Sequence, residues 1–275
     1  MQTRLPPRLH PRPFLKWAGG KGQLIQQYIP HFPKQFSTYH EPFLGGGAVF
    51  FHLLPARSRL MDINPELVNV YCCVRDQVES LIACLKEHRD RHCVEYYYQV
   101  RASTNGSSVE RAARLIYLNK TCFNGLYREN SKGLFNVPIG RYKNPTICDF
   151  ELLYATSASL RSTRIKLNSF EAVLEDATNS QDFVYLDPPY HPISATSKFT
   201  AYNRYAFTEA DQIRLRDTFV KLAERGVNVM LSNSDCSFVR DLYQDFTINT
   251  IVASRAINSN AEKRGKITEV LVTSY

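Results

Sequence analysis

With 275 residues, 44% of them apolar and 22% charged, the chain can bury a large core and is not of disordered composition. No apolar run approaches membrane-spanning length, and the proline-rich stretch from Met1 to Pro13 lacks a signal peptide's apolar region and reads as a flexible arm. The net charge of +8 is clustered: six Lys or Arg precede the first acid, Glu41, and seven between Arg111 and Lys143 face only Glu129. Arg255, Lys263, Arg264 and Lys266 form a third group, and this clustering favours a polyanion partner. Seven cysteines without a C-x-x-C pair read as thiols in a reducing compartment, not as disulfides or a zinc site.

The first motif is Phe14-Leu15-Lys16-Trp17-Ala18-Gly19-Gly20-Lys21-Gly22. It fails as a P-loop, because Leu15 takes the first glycine position and Gly22 stands where a Ser or Thr would meet magnesium. It reads instead as a glycine-rich bend whose backbone approaches a ligand, with Trp17 as core or as a wall beside it. Gln23 to Pro30 is expected to be helical. The run from Tyr39 to Phe51, with Gly45-Gly46-Gly47 at its centre, has the strand, glycine turn and helix of a nucleotide-binding unit. Phe50 replaces the third glycine of the dinucleotide pattern, which disfavours a dinucleotide. Arg59 to Asn64 reads as the next strand. Asp62 near its end either holds the two hydroxyls of a ribose or caps the turn, and its place after a glycine turn, helix and strand favours the ribose. Asn64 is an N-cap with Pro65 in the first helical position.

From residue 65 to about 152 the alternation of strand and helix breaks. Glu66 to Arg91 is expected to be one helix, with Leu67, Val70, Val74, Val78, Leu81, Ile82 and Leu85 on one stripe. A second helix is expected from about Ser108 to Leu118. Two long loops follow, Asn119 to Asn130 and Gly133 to Lys143, with cations interleaved among aromatics. Loops of this kind suit phosphate contact, base-edge reading and stacking. The α/β pattern then resumes with a strand at Arg164 to Leu167 that ends in Asn168-Ser169-Phe170. Phe183 to Leu186 is a buried strand running into Asp187-Pro188-Pro189-Tyr190. The prolines forbid helix there and remove two donors, leaving a stiff loop at the carboxyl edge of a sheet. That loop offers a carboxylate, a carbonyl and an aromatic face, a set suited to a planar group carrying an exocyclic amine. Asp-Pro-Pro alone would be only a turn. His191 to Tyr205 reads as a polar lid, Thr208 and Asp211 as a capping box for a helix ending at Arg225-Gly226, and Val227 to Leu231 as a strand. Phe246 to Val252 and Ile267 to Tyr275 read as paired strands joined by a basic loop from Ser254 to Lys266.

Phe14 to Lys21, Glu41 to Phe50, Asp62-Ile63-Asn64, Asn124 to Arg128, Phe135 to Pro138 and Asp187 to Tyr190 occur in this order. Together they resemble the Dam-type adenine-N6 DNA methyltransferases, the D12 class, from Phe14 nearly to the end. The resemblance implies an α/β fold: a seven-stranded mixed sheet of the S-adenosylmethionine-dependent methyltransferase type, with helices on both faces. It implies a catalytic domain of residues 1–64 and 153–275 and a helical target-recognition domain of residues 65–152. Carried over by motif, Trp17, Lys21, Phe43, Gly45, Asp62, Ser169, Phe170 and Asp187 line the cofactor pocket, with Asp62 on the ribose. Asp187 and the Pro188 carbonyl accept both N–H bonds of a flipped adenine's N6, Tyr190 stacks on the base, and no metal is needed. Arg128 reads a guanine, Leu126 and Pro138 meet a thymine methyl, and Lys16 meets the first guanine of GATC. Phe123 fills the gap in the stack beside Asn124, while Lys120, Arg141 and Tyr142 complete the DNA-binding set. Double-stranded DNA and S-adenosylmethionine are the implied partners of a monomeric, cytoplasmic enzyme, bacterial or phage-encoded, with no membrane. A methyltransferase acting on a glutamine or an RNA adenine, and a DNA-binding protein without catalysis, are the competing readings.

Overall fold

The computed structural model describes residues 10–193, 207–254 and 266–275. Its seven strands are β1 (Thr38–Glu41), β2 (Ser58–Asp62), β3 (Thr163–Leu167), β4 (Asp182–Leu186), β5 (Asn228–Ser234), β6 (Thr247–Ser254) and β7 (Lys266–Thr273). They form one sheet in the order β3-β2-β1-β4-β5-β7-β6. β1 is parallel to β2 and β4, and β4 is parallel to β5. β7 runs antiparallel between β5 and β6, so the sheet is mixed, as expected. The strand order reverses direction at the β1–β4 pair, where Thr38 sits opposite Asp182 and His40 opposite Val184. Ligands of open α/β sheets gather beyond the carboxyl ends of the strands at such a reversal, and Asp187 lies one residue past β4.

The helices are α1 (Ile25–Tyr28), α2 (Ala48–Leu53), α3 (Pro65–Asp76), α4 (Val78–Asp90), α5 (Val94–Ala102), α6 (Ser108–Thr121), α7 (Phe150–Leu160), α8 (Val173–Asp176), α9 (Glu209–Glu224) and α10 (Ser237–Leu242). The chain forms two compact units. One comprises Met1–Gly20, Gly45–Leu54 and Asn64–Leu167; the other comprises Lys21–Leu44, Pro55–Ile63 and Asn168–Tyr275. Segment 65–152 falls inside the first.

The first unit is built on α3, α4 and α6. The expected single helix is two, parted at Gln77, whose backbone leaves the helical region at φ −138°, ψ 37°. The apolar stripe nonetheless survives the break, and all seven of its residues are buried. α5 lies between the two helices expected here, and α6 continues to Thr121, so Asn119 and Lys120 are helical, not in a loop. The two long loops between residues 119 and 143 are less irregular than expected. Cys122 bridges Ile139 and Glu129 bridges Phe135, folding the segment back on itself as a short ladder.

In the second unit Val184, Leu186, Val229, Leu231, Val270 and Val272 from the sheet pack with Leu215, Phe219 and Leu222 of α9. The Thr208–Asp211 capping box starts α9, and Arg225 ends it. β5 extends three residues beyond the expected strand, through Ser232-Asn233-Ser234, and α10 lies outside the expected elements. Residues 194–205 of the expected lid, 255–265 of the basic hairpin loop and 1–9 of the N-terminal arm lie outside the described residues. No helix among the described residues is long and apolar enough to cross a membrane.

Candidate active site

The apolar run Phe183 to Leu186 is fully buried as a central strand, so its end is fixed by the sheet. Asp187 emerges there, and Lys21 Nζ lies 2.7 Å from its Oδ1. Ser232, at the matching edge of β5, donates from Oγ to the same Oδ1 at 2.9 Å. Tyr185 and Ser232 share a further 2.9 Å hydroxyl contact. Both partners of Asp187 therefore act on one oxygen, and Oδ2 has no partner among the described residues. Lys21 is only 4% exposed, so this ion pair is largely screened from water.

The same lysine sits 4.6 Å from the centre of the Tyr190 ring, close enough for a cation–π interaction. Tyr190 donates its hydroxyl to Glu269 Oε2 on β7 at 2.7 Å. Burial, reinforced by the Asp187 charge, holds the Tyr190 hydroxyl well above its usual range, so it stays a donor. Burial also raises the Glu269 carboxyl, against the lowering effects of the Tyr190 bond and Lys21. Pro188 is buried and Pro189 exposed.

Also in the second unit, Phe43 stacks on Phe170 with ring centres 5.4 Å apart and planes 22° apart. Ser169 precedes it and bonds Glu171 at 2.5 Å. Asp62 ends β2, and its carbonyl accepts from the Asn168 N–H at 3.2 Å. Asn64 caps α3, accepting from the Glu66 and Leu67 amides at 3.0 and 3.1 Å.

The remaining expected site residues lie in the first unit. Trp17 stacks on Tyr127 at 5.1 Å, and Tyr127 in turn donates to Glu129. Gly45 has φ +48°, and a Cβ there would meet Trp17 Cδ1 at 3.0 Å. Lys16 is held by Asn119, which accepts from its N–H at 2.9 Å and donates to its carbonyl at 2.8 Å and to that of Gly125 at 3.0 Å. Lys16 Nζ then reaches Tyr142 Oη at 3.3 Å. Phe123, Leu126 and Tyr142 are large apolar side chains left exposed, and Phe123 is 49% so. Asn124 has φ +55°, and the Pro138 carbonyl accepts from the Phe123 N–H at 2.9 Å. Asn136 accepts from Arg128 Nε at 2.7 Å, which aims the guanidinium. Arg141 is exposed. Lys120 is half-buried and lines a small niche with Phe14, Ile116 and Asp149. Burial lowers its pKa, which Asp149 partly offsets.

The structure thus brings Lys21, Asp187 and Tyr190 together, and pairs Lys16 with Tyr142 and the Cys122–Leu126 turn. Ser232 and Glu269 were not expected at the site. The signal was present in Ser232-Asn233-Ser234: polar residues closing an apolar strand, at the edge where Asp187 emerges.

A mixed sheet carries a carboxylate, proline and tyrosine loop beyond its central parallel strand, at the edge where open α/β sheets bind their ligands. The family model of the D12 class N6 adenine-specific DNA methyltransferases matches residues 17–257, and the chain belongs to that family. Over 276 residues it is 46% identical to Type II methyltransferase M1.LlaDCHI of Lactococcus lactis subsp. cremoris, covering 98% of this chain and 97% of that one. It is 43% identical to Type II methyltransferase M.MjaIII of Methanocaldococcus jannaschii over 287 residues, covering 96% and 99%. It is 37% identical to the DNA adenine methylase of Escherichia coli K12 over 264 residues, covering 94% of each. The protein is an adenine-specific DNA methyltransferase; DNA is its substrate, and its methyl group comes from a donor.

Proposed function

We propose that the chain transfers a methyl group from S-adenosylmethionine to N6 of an adenine flipped out of a GATC site. The observation that carries the reading is the one-sided hold on Asp187. Lys21 and Ser232 fix Oδ1, and Oδ2 is left to accept an N–H from outside the protein. The N6 lone pair of adenine is delocalised into its ring and is a poor nucleophile. Acceptance of one N–H by Asp187 Oδ2 and the other by the Pro188 carbonyl favours sp³ character and aims the lone pair out of the ring plane. Most of the rate then comes from positioning and fixed electrostatics. An amine inside a duplex cannot reach a loop beyond the sheet edge, so the base must leave the stack. Tyr190, anchored through Glu269, offers it a face.

The residues suit the proposed cofactor. Asp62 at the end of β2 suits ribose hydroxyls, the Phe43–Phe170 stack provides an apolar wall beside Ser169, and Lys21 and Asp187 border the same sheet edge. Trp17 and Gly45 keep their assignment to the cofactor from the resemblance of their motifs, and the positive φ of Gly45 permits close backbone approach. When bound, S-adenosylmethionine supplies a methyl group activated on a sulfonium. Lys16, Phe123, Asn124, Leu126, Arg128 and Pro138 are assigned to the bases, and Lys120, Arg141 and Tyr142 support DNA contact. Segment 65–152 acts as the recognition region in this reading, in a monomeric cytoplasmic enzyme.

The test is transfer of labelled methyl from S-adenosylmethionine to duplex DNA by the purified chain, with the modified positions read by sequencing. N6-methyladenine confined to GATC is the expected result. Transfer at another motif would overturn the sequence assignment, and no transfer from this donor would overturn the cofactor.

A further inference from the structure

Pro188 and Pro189 remove two N–H donors where a strand would otherwise anchor the chain leaving it. The loop that carries Asp187 and Tyr190 must therefore be held by something other than its own backbone. Two buried amide side chains do this from neighbouring elements. Gln212, in the first turns of α9, donates from Nε2 to the Pro189 carbonyl at 3.0 Å. Asn233, near the end of β5, donates from Nδ2 to Gln212 Oε1 at 2.9 Å. Asn233 Oδ1 accepts the His191 N–H at 3.1 Å and the Ser234 N–H at 2.8 Å. Ser234 Oγ closes the chain on the His191 carbonyl at 2.6 Å. The backbone is thus gripped immediately before and immediately after Tyr190.

Gln212 is 1% exposed and Asn233 0%. Burying two amides gains little net stability over apolar packing, and each becomes costly once its partner is lost. What the pair adds is geometry: a carbonyl and an N–H flanking Tyr190 are pinned by a relay that works in one arrangement only. Gln212 comes from the helix after the loop, and Asn233 from the strand that also supplies Ser232 to Asp187.

We propose that Gln212 and Asn233 are positioning residues for methyl transfer, setting the loop from Asp187 to His191 so that the Pro188 carbonyl and the Tyr190 ring meet the target amine together. This rests on the proposed role of Asp187 and deepens it. The test uses the full-length chain, S-adenosylmethionine, and whichever duplex the unaltered chain methylates. Gln212→Met keeps length without a donor, and Asn233→Ala removes both the donor to Gln212 and the acceptor of the His191 N–H. Each is expected to slow single-turnover transfer tenfold or more, with dissociation constants for duplex and S-adenosylmethionine within twofold of the unaltered chain. The double variant is expected to be no slower than the slower single one, because both break one relay. Gln212→Asn, which keeps a neutral buried amide but is one methylene too short to reach from Asn233 to the Pro189 carbonyl, serves if either variant fails to fold, with the same loss expected. Single-turnover rates within twofold of the unaltered chain, or rate losses matched by equal losses of binding, would overturn the proposal. Asp187→Ala in the same assay keeps the two ideas apart: retained transfer there rejects the reading of the loop itself, whatever Gln212 does.

Discussion

Asp187 is held asymmetrically, and that asymmetry makes Asp187→Asn a sharp probe. An amide at 187 has one oxygen and one nitrogen to place. If the oxygen stays with Lys21 and Ser232, which lie 2.7 and 2.9 Å from Oδ1, the NH2 faces the target amine, donor against donor. If it turns, the NH2 faces the Lys21 ammonium. Asp187→Asn is expected to lose about 10²-fold or more in methyl transfer, the scale for removing one preorganised partner, with duplex binding kept. Near-normal turnover would remove Asp187 from the reaction. Tyr190 is less simple than a stacking face, because its hydroxyl bonds Glu269. Tyr190→Phe keeps the ring but strips that half-buried carboxyl of its donor, and hydrogen bonds to charged groups are worth about 1.5–3 kcal/mol. The expected order of rates is Tyr above Phe above Ala. Phe and Ala falling equally would assign the function to the hydroxyl.

At the scale of elements, Asn64 joins β2 to α3, with Pro65 in the first helical turn. Its Oδ1 satisfies two amides that the helix cannot, so Asn64→Ala is expected to cost about 1 kcal/mol, read as a lowered urea midpoint. An unchanged midpoint would mean that packing of α3 alone carries that helix start. This cap was legible because Asn-Pro has one strong local meaning. So were β1, marked by the glycine turn that follows it, β4, marked by its apolar run, and α9, marked by its capping box. The break at Gln77 was not legible, since neither proline nor glycine marks it and the apolar stripe runs through it undisturbed. α5 begins at a Cys cap and carries three consecutive tyrosines, Tyr96 to Tyr98, which give no clear helical period. The ladder in segment 119–143 was hidden for a different reason. It depends on two isolated bridges and on contacts such as Gly140, where a Cβ would come within 2.8 Å of the Cys122 carbonyl. Partners distant in sequence leave no local pattern. The Gln212–Asn233 relay was missed likewise, because each half reads alone as an ordinary polar residue.

Two properties belong to the whole molecule, its response to acid and its grip on DNA. His40 and His88 are both held at about 4, chiefly by burial. The unfolded chain binds those protons near the ordinary value of 6.5, so between 6.5 and 4 it holds more of them than the folded chain. Folding stability should therefore be fully present above that window and fall as pH drops through it. Urea midpoints across the window measure this. His88→Phe, at a ring stacked on Tyr117, should flatten the slope, and an unaltered slope would exclude His88 as a source.

The grip on DNA separates two kinds of cation. A chain of net charge +8 owes part of its affinity to counterion release, which any sequence of duplex supplies. Arg141 is exposed and has no shape-specific partner in the ladder, so Arg141→Ala should weaken all duplexes alike and reduce the salt slope by about 0.9, the value of one phosphate contact. Arg128 is aimed instead: Asn136 holds its Nε at 2.7 Å, and the Asn136 N–H returns to the Arg128 carbonyl at 3.0 Å. A guanidinium fixed in this way suits the two acceptors of a guanine edge. Arg128→Ala is therefore expected to cost about 1–3 kcal/mol on the preferred site and to relax choice at one base pair, while the salt slope stays near its original value. Binding measured on a set of single-substituted duplexes at several salt concentrations distinguishes them. A uniform loss across all sequences with a reduced slope would make Arg128 a phosphate contact, and base reading would then fall to Lys16, Leu126 and the Asn124 turn.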